Sequence, residues 1–81
     1  MDENESISLV VYPNPATDRL TIESEEVIRQ CEIYDLTGQL VETLENASER
    51  MEISVEALPA GIYVVRLVTD RFTPTRWFIK K

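Results

Sequence analysis

The chain has 81 residues, of which 43% are hydrophobic and 28% charged, and its formal net charge is −7. This length allows one small domain with one thin core, and the acidic balance disfavours nucleic acids and anionic membrane surfaces as partners. Histidine is absent and Cys31 is the single cysteine, which excludes an internal disulfide and removes the commonest general base and metal ligand.

Hydrophobic and polar residues alternate along most of the chain, which is the period of a half-buried β-strand. The alternation predicts seven short strands, over residues 7–12, 19–24, 27–34, 39–44, 51–55, 61–68 and 75–80. The segments between them carry Pro, Gly, Asn, Asp or Ser, and the predicted breaks include 24–26 and 46–48. Strands at this spacing predict an all-β sandwich or barrel.

The residues that most resemble catalytic groups have structural interpretations. Cys31 shares a strand phase with Ile33, which predicts a buried thiol rather than a nucleophile, since no histidine can serve as its base. Asp35 and Gly38 occupy the first and fourth positions of a predicted type I turn. No acidic segment has the ligand spacing of an EF-hand, so we expect no metal, no cofactor and no catalytic residue.

The aromatic residues have two interpretations, a packed core or a platform that stacks on sugars or peptides. Tyr63 shares its strand face with Val65 and Leu67, so we expect its ring in the core and its hydroxyl hydrogen-bonded at the edge. Trp77 and Phe78 are adjacent in one strand and must point to opposite faces. One of these two rings is therefore expected to be exposed or to cover an edge.

Three stretches and a basic end occur in a characteristic order. They are Val11-Tyr12-Pro13-Asn14-Pro15-Ala16-Thr17-Asp18, then Ile33-Tyr34-Asp35-Leu36-Thr37-Gly38-Gln39-Leu40-Val41, then Leu58-Pro59-Ala60-Gly61-Ile62-Tyr63, and finally Lys80-Lys81. Together they resemble the type A C-terminal sorting domain of the type IX (Por) secretion system of Bacteroidetes. The resemblance covers residues 10–81.

The resemblance implies an immunoglobulin-like β-sandwich of about seven short antiparallel strands. It implies a signal that directs a cargo protein from the periplasm through the outer-membrane translocon, to the cell surface or the medium. Its partners would be the type IX translocon and a sortase-like peptidase that removes the domain. The cargo domain would precede this chain and is absent from it, and the signal itself would catalyse nothing and would not insert into a membrane.

The family motifs fall on eight positions of this sequence. These are Pro13, Asn14, Pro15, Gly38, Gly61, Tyr63, Lys80 and Lys81. Turn and core chemistry explains Pro13, Asn14, Pro15, Gly61 and Tyr63, so folding is favoured over direct recognition for these five. Gly38 matches the turn glycine of the second stretch, and Gly61 is expected in a tight turn that needs a positive φ. The two lysines are expected to have no core role, which favours recognition, although charged strand ends also prevent aggregation.

Three further expectations concern the domain bounds, the function and the oligomeric state. Residues 1–6 are expected to be the end of a linker or artificial residues, with the sorting domain over 7–81. The alternative function is a non-catalytic β-sandwich module, carbohydrate- or protein-binding, that uses Trp77 and Tyr34. An edge strand in so small a sandwich can also pair with a second copy, so a dimer through edge strands is a further expectation.

Overall fold

The computed structural model describes residues 8–81, and in this range the chain forms five β-strands and no helix. They are β1 (Leu9–Tyr12), β2 (Arg19–Asp35), β3 (Leu40–Ser54), β4 (Gly61–Val68) and β5 (Thr75–Lys80). All pairings between these strands are antiparallel: β2 pairs with β1, β3 and β4, and β4 pairs with β5. The described residues thus contain no helix that could cross a membrane.

The prediction of seven strands is wrong in number, because two of the predicted breaks lie inside continuous strands. Residues 24–26 belong to β2 and residues 46–48 belong to β3. The other three predicted segments agree closely with the structure: the bounds of β4 and β5 are those predicted, and β1 covers most of 7–12, while Ile7 lies outside the described residues. The polar residues at 24–26 and 46–48 therefore mark bends in strands and not turns between them.

The bend in the β2–β3 ladder is a large β-bulge. Glu23 pairs with Arg50 and Ile28 pairs with Ser48, so four residues of β2 lie opposite one residue of β3. The side-chain amide of Asn46 fills the irregularity by donating to the carbonyls of Ile28, Ser48 and Arg50 at 3.3, 3.0 and 3.3 Å. Since a bulge increases bend and twist without ending the strand, the polar side chain here maintains the ladder.

The long strands β2 and β3 each run through two layers. β3 lies along one edge of β2, so β1 and β4 share the other edge, β1 on residues 21–24 and β4 on residues 30–35. We call β1 with 19–24 and 50–54 the first layer, and β4 and β5 with 30–35 and 40–45 the second layer. Among the described residues β3 pairs only with β2, so its other edge carries no strand.

One hydrophobic core lies between the layers. It takes inward-facing residues from both: Ala16, Leu20, Ile22, Ile28, Cys31, Ile33, Met51, Ile53, Val55, Tyr63, Val65, Leu67 and Phe78. The expected opposite orientation of the two adjacent rings in β5 is confirmed, since Phe78 is fully buried and Trp77 is 59% exposed. Burial of one face of each strand is the main stabilising term in a domain of this size.

Candidate functional site

The first motif lies along the free edge of β5. The carbonyl oxygen of the Asn14 side chain accepts a 2.9 Å hydrogen bond from the main-chain N–H of Ile79, and its amide donates to the carbonyl of Trp77 at 3.5 Å. Asn14 therefore takes the place of a neighbouring strand for two residues of β5. A sequence motif near the start of the chain and the last strand are thus in direct contact.

The main chain of Ala16 extends this contact to the end of the sequence. Its N–H donates to the carbonyl of Ile79 at 2.8 Å, and its carbonyl accepts from the N–H of Lys81 at 2.9 Å. The pairing of Ala16 with Lys80 is parallel, and Ala16 is fully buried. Pro13 and Pro15 flank Asn14, lack an N–H of their own, and are exposed. The segment therefore covers the β5 edge from the carbonyl of Trp77 to the N–H of Lys81.

Lys80 has a core role, which corrects the expectation from sequence. Only 8% of the residue is exposed, because it continues the inward phase of Phe78. Its ammonium group donates to the carbonyl of Leu58 at 3.1 Å and to the main-chain oxygen of Lys81 at 3.2 Å. The long apolar stem covers the end of the core while the charged head reaches carbonyls at its rim. Lys81, by contrast, is exposed.

Tyr63 packs as predicted. Its ring is 6% exposed and stacks on the Phe78 ring, with the ring centres 5.6 Å apart and an angle of 22° between the planes. Its hydroxyl donates a 2.6 Å hydrogen bond to the carbonyl of Pro59, in the segment that leads into β4. One side chain thus joins the core to the preceding loop.

The two motif glycines differ in conformation. Gly38 has a φ of 86°, a left-handed conformation that side chains disfavour, and its N–H donates to the carbonyl of Asp35 at 3.0 Å, which confirms the predicted turn. Gly61 is the first residue of β4 and follows the bend at Ala60, with a positive φ of 159°. The positive φ expected at Gly61 is therefore present, although the residue begins a strand and does not lie within a turn.

Asp35 organises the Gly38 turn and was identified from sequence only as a turn position. One carboxylate oxygen accepts from the hydroxyl and the N–H of Thr37, at 2.6 and 2.9 Å, and from the N–H of Gln39 at 3.0 Å. The hydrogen bond from the Thr37 hydroxyl, followed by that from the Gln39 amide, holds the pKa of Asp35 below its ordinary value. This carboxylate is therefore a structural acceptor and not a catalytic acid.

The strand register brings these motifs to one end of the second layer. Asp35 pairs with Tyr63, Tyr63 pairs with Phe78, and Gly61 pairs with Lys80. The Gly38 turn follows Asp35, and the Asn14 segment lies on the outer edge of β5. We call this region the motif end. The eight motif positions identified from sequence do not include Ala16, Leu58 or Phe78, because only the pairing between distant segments gives these three residues their contacts here.

No catalytic arrangement accompanies the motif end in the described residues. Cys31 is fully buried, as predicted, and burial, with smaller effects of Glu42 and Glu32, raises the pKa of its thiol to about 12. Residues 8–81 contain no cluster of three potential metal-ligating groups and no pocket. The motif end therefore presents a surface whose strand ends are held in place by hydrogen bonds.

Comparison with known proteins gives one family match and several related structures. A family model described as a secretion system C-terminal sorting domain matches residues 10–81. Beta-agarase A of Zobellia galactanivorans is 36% identical to the chain over 59 residues, which are 70% of this chain and 11% of that protein. The chain thus spans about a tenth of the length of this curated relative.

Two solved structures share the fold. A Bacteroides vulgatus protein with an immunoglobulin-like β-sandwich fold matches with a TM-score of 0.69 and 19% identity, over 93% of this chain and 96% of that one. The CBM51-2 and INT domains of ZmpB from Clostridium perfringens match with a TM-score of 0.59 and 14% identity, over 83% of this chain and 16% of that one. At such identities the likeness concerns the fold alone, and it supports an immunoglobulin-like sandwich.

Proposed function

The chain belongs to the family of secretion system C-terminal sorting domains, and on this basis we propose how its motif residues serve the signal. Membership makes it a C-terminal secretion signal of cargo proteins of the type IX system, which are exported to the cell surface or the medium. The family is a non-catalytic tail. We further propose that the domain crosses the periplasm with its cargo and is removed by a sortase-like peptidase after export.

The convergence of the motifs at the motif end is the observation that supports this proposal. Asn14 and Ala16 hold β5 from one side. Tyr63 of β4 stacks on Phe78 of β5 in the core, and Lys80 closes the core at its end. Residues spread over the whole chain therefore maintain one terminal strand in one position. The proposed role of these residues is to present that strand and its surroundings to the secretion machinery, with Lys81 as the exposed residue at its end.

A reporter fusion tests the signal. Residues 7–81 are fused to the C-terminus of a reporter with an ordinary secretory signal peptide, in a host with a working type IX system and in a translocon-deficient strain. We expect release that depends on the translocon, with a product shortened by the mass of the domain. Retention in the periplasm of both strains, with the domain folded, would count against a sorting function.

A truncation and a matched point variant refine the test. Deletion of residues 79–81 removes the partners of Asn14 and Ala16 together with the Lys80 contacts, so we expect it to retain the reporter. Lys81→Ala changes only an exposed side chain and leaves the end of β5 folded. It therefore shows whether the machinery recognises the charge of Lys81 or the folded end of the strand. Export of the truncated form at the wild-type level would contradict the proposed role of the motif end.

A non-catalytic binding module is the second candidate, and one observation favours it. Trp77 is 59% exposed, and the half-buried Tyr34 lies on the same outer face of the second layer, with Val64 between them in the register. An exposed aromatic row of this kind can stack on a sugar or contact a protein. Binding of the purified domain to an oligosaccharide, abolished by Trp77→Ala, would support this candidate.

A further inference from the structure

The outer face of the second layer carries a row of apolar side chains across four strands. Leu40 of β3 pairs with Tyr34 of β2, Tyr34 pairs with Val64 of β4, and Val64 pairs with Trp77 of β5. At about 4.8 Å between neighbouring strands, the row spans about 14 Å. We call this row, with the adjacent pair Ile62–Ile79, the outer apolar face.

The exposure of the outer apolar face is not explained by the fold. Trp77 is 59% exposed, Leu40 49% and Ile62 43%, and the other three residues are half-buried. Isolated exposed hydrophobic residues are normal, whereas a contiguous group usually marks an interaction site. An exposed tryptophan such as Trp77 is a typical anchor of a protein interface, and the apolar neighbours around it exclude water.

The outer face of the first layer is richer in charged groups. Arg50 contacts Glu52 at 2.9 Å and Glu23 at 3.4 Å, and Glu23 also accepts the hydroxyl of Tyr12 at 2.7 Å. The outer face of the second layer carries a charged pair, Arg66 with Glu32 at 2.7 Å, which lies beside the row. The larger group of exposed apolar side chains therefore lies on the second layer, next to a charged pair that is already neutralised.

The motif end fixes the backbone beneath the outer apolar face. Asn14 accepts from the N–H of Ile79 and donates to the carbonyl of Trp77, and these are the two β5 residues whose side chains belong to that face. The motif residue itself therefore need not contact a partner. Asn14 acts as a positioning residue for the side chains that do.

The charge around the outer apolar face selects the kind of partner. The strand β3 borders it and carries Glu42, Glu45 and Glu49, and none of these forms a salt bridge within the described residues. A second copy would carry the same net charge of −7, so repulsion between the copies disfavours it as the partner. A partner with an apolar patch flanked by basic side chains meets both features.

We infer that the outer apolar face is where the domain docks onto a protein of the secretion machinery, one that presents an apolar patch flanked by basic side chains. This inference rests on the sorting function proposed above. The role that it assigns to Trp77, Leu40 and Ile62 is direct contact, whereas the motif residues hold β5 in place.

Trp77 provides the probe, because it is the one tryptophan of the sequence. The 81-residue chain is labelled with fluorotryptophan, and its fluorine NMR signal is followed during titration with detergent-solubilised outer membranes from the type IX host. Membranes of the translocon-deficient strain serve as the reference. The variants Leu40→Thr and Ile62→Thr lie on the outer apolar face, and Val10→Thr, at a residue that is 50% exposed on the first layer, is the matched control.

We expect the Trp77 signal to broaden only with membranes that contain the translocon. Leu40→Thr and Ile62→Thr should each weaken the titration by about tenfold, as anchors of an interface do, while Val10→Thr titrates like wild type. All three substitutions place threonine, a β-branched residue, in a strand, and unchanged melting temperatures by circular dichroism verify their folding.

The opposite results separate the inference from the proposed function. An unchanged Trp77 signal, in a host that exports the wild-type reporter, overturns the docking face and leaves the sorting function standing. Absence of export together with identical titrations in both membranes overturns both. Broadening by lipid vesicles or by an agarose oligosaccharide alone, or a dimer in light scattering that Trp77→Thr dissociates, assigns the face to another occupant and overturns the inference.

Discussion

Removal of the Tyr63 hydroxyl is the sharpest test of how the motif residues support the fold. In Tyr63→Phe the ring keeps its stack on Phe78 and loses only its hydrogen bond of 2.6 Å to the carbonyl of Pro59. One such bond contributes about 0.5–1.5 kcal/mol net. Pro59 is exposed, so water can replace the lost donor and the larger penalty of a buried unpaired carbonyl does not apply.

The expected effect is measurable in a domain of this size. A loss of about 1 kcal/mol lowers the melting temperature by about 4–8 °C in a domain of 60–100 residues. Thermal unfolding of the 81-residue chain, followed by circular dichroism, gives the shift, and urea unfolding gives the free energy independently.

Tyr12→Phe is the matched control, because it deletes the same atom at the surface. The hydroxyl of Tyr12 donates to Glu23 at 2.7 Å, but the residue is 41% exposed, and surface changes of this kind stay within about 0.5 kcal/mol. The role of Tyr63 as an anchor of the loop is refuted if Tyr63→Phe melts within about 1 °C of wild type. It is also refuted if the melting temperature of Tyr12→Phe falls by as much as that of Tyr63→Phe.

Four further predictions concern other parts of the structure. Asn14→Ala should lower the free energy of unfolding by about 1 kcal/mol in urea titrations, whereas Asn14→Asp keeps the acceptor for Ile79 and should lose less; equal losses would contradict the assigned acceptor role. Lys80→Ala removes a buried stem and two hydrogen bonds of an ammonium group, so the free energy of unfolding should fall by about 1.5–3 kcal/mol. Lys81→Ala, at an exposed residue, should lower it by about 0.5 kcal/mol or less. The reverse order would restore the interpretation of Lys80 as a surface charge. The pKa of Asp35 is lowered in the folded state, so its contribution to folding stability is present above the unfolded pKa of about 4 and is lost as the pH falls through the folded pKa. The difference in melting temperature between wild type and Asp35→Ala should therefore shrink from about pH 7 to about pH 2.5. A difference that stays constant over this range would argue against the stabilising role of the Asp35 carboxylate. Cys31 should not react with a thiol reagent at about pH 8 until the chain is unfolded in guanidinium, since its thiol is buried with a pKa of about 12, and rapid labelling of the folded protein would disprove that burial.

The sequence by itself determined the class of the fold and the phase of its strands. Alternating residues predicted that Cys31, Ile33 and Tyr63 point inward, and that Trp77 and Phe78 point to opposite faces, because side chains on a strand alternate between two faces and only one face can be buried. It also predicted the Asp35–Gly38 turn, since the chemistry of a turn is local. The ordered motifs further identified the family, because motif order along a chain needs no three-dimensional information.

The tertiary structure alone decided that two predicted breaks lie inside continuous strands, and which distant residues meet. Residues 24–26 and 46–48 have turn composition, yet they lie in bends, because pairing with a neighbouring strand and the amide of Asn46 satisfy their backbone. Lys80 has the composition of a surface residue, yet it is buried, because carbonyls of the β3–β4 segment are within reach of its ammonium group. Contacts such as that of Asn14 with Ile79 join residues 65 positions apart, and no local pattern in the sequence encodes such a pairing. The pairing forms because both segments bury residues in one shared core, and because the backbone groups at the β5 edge need hydrogen-bond partners.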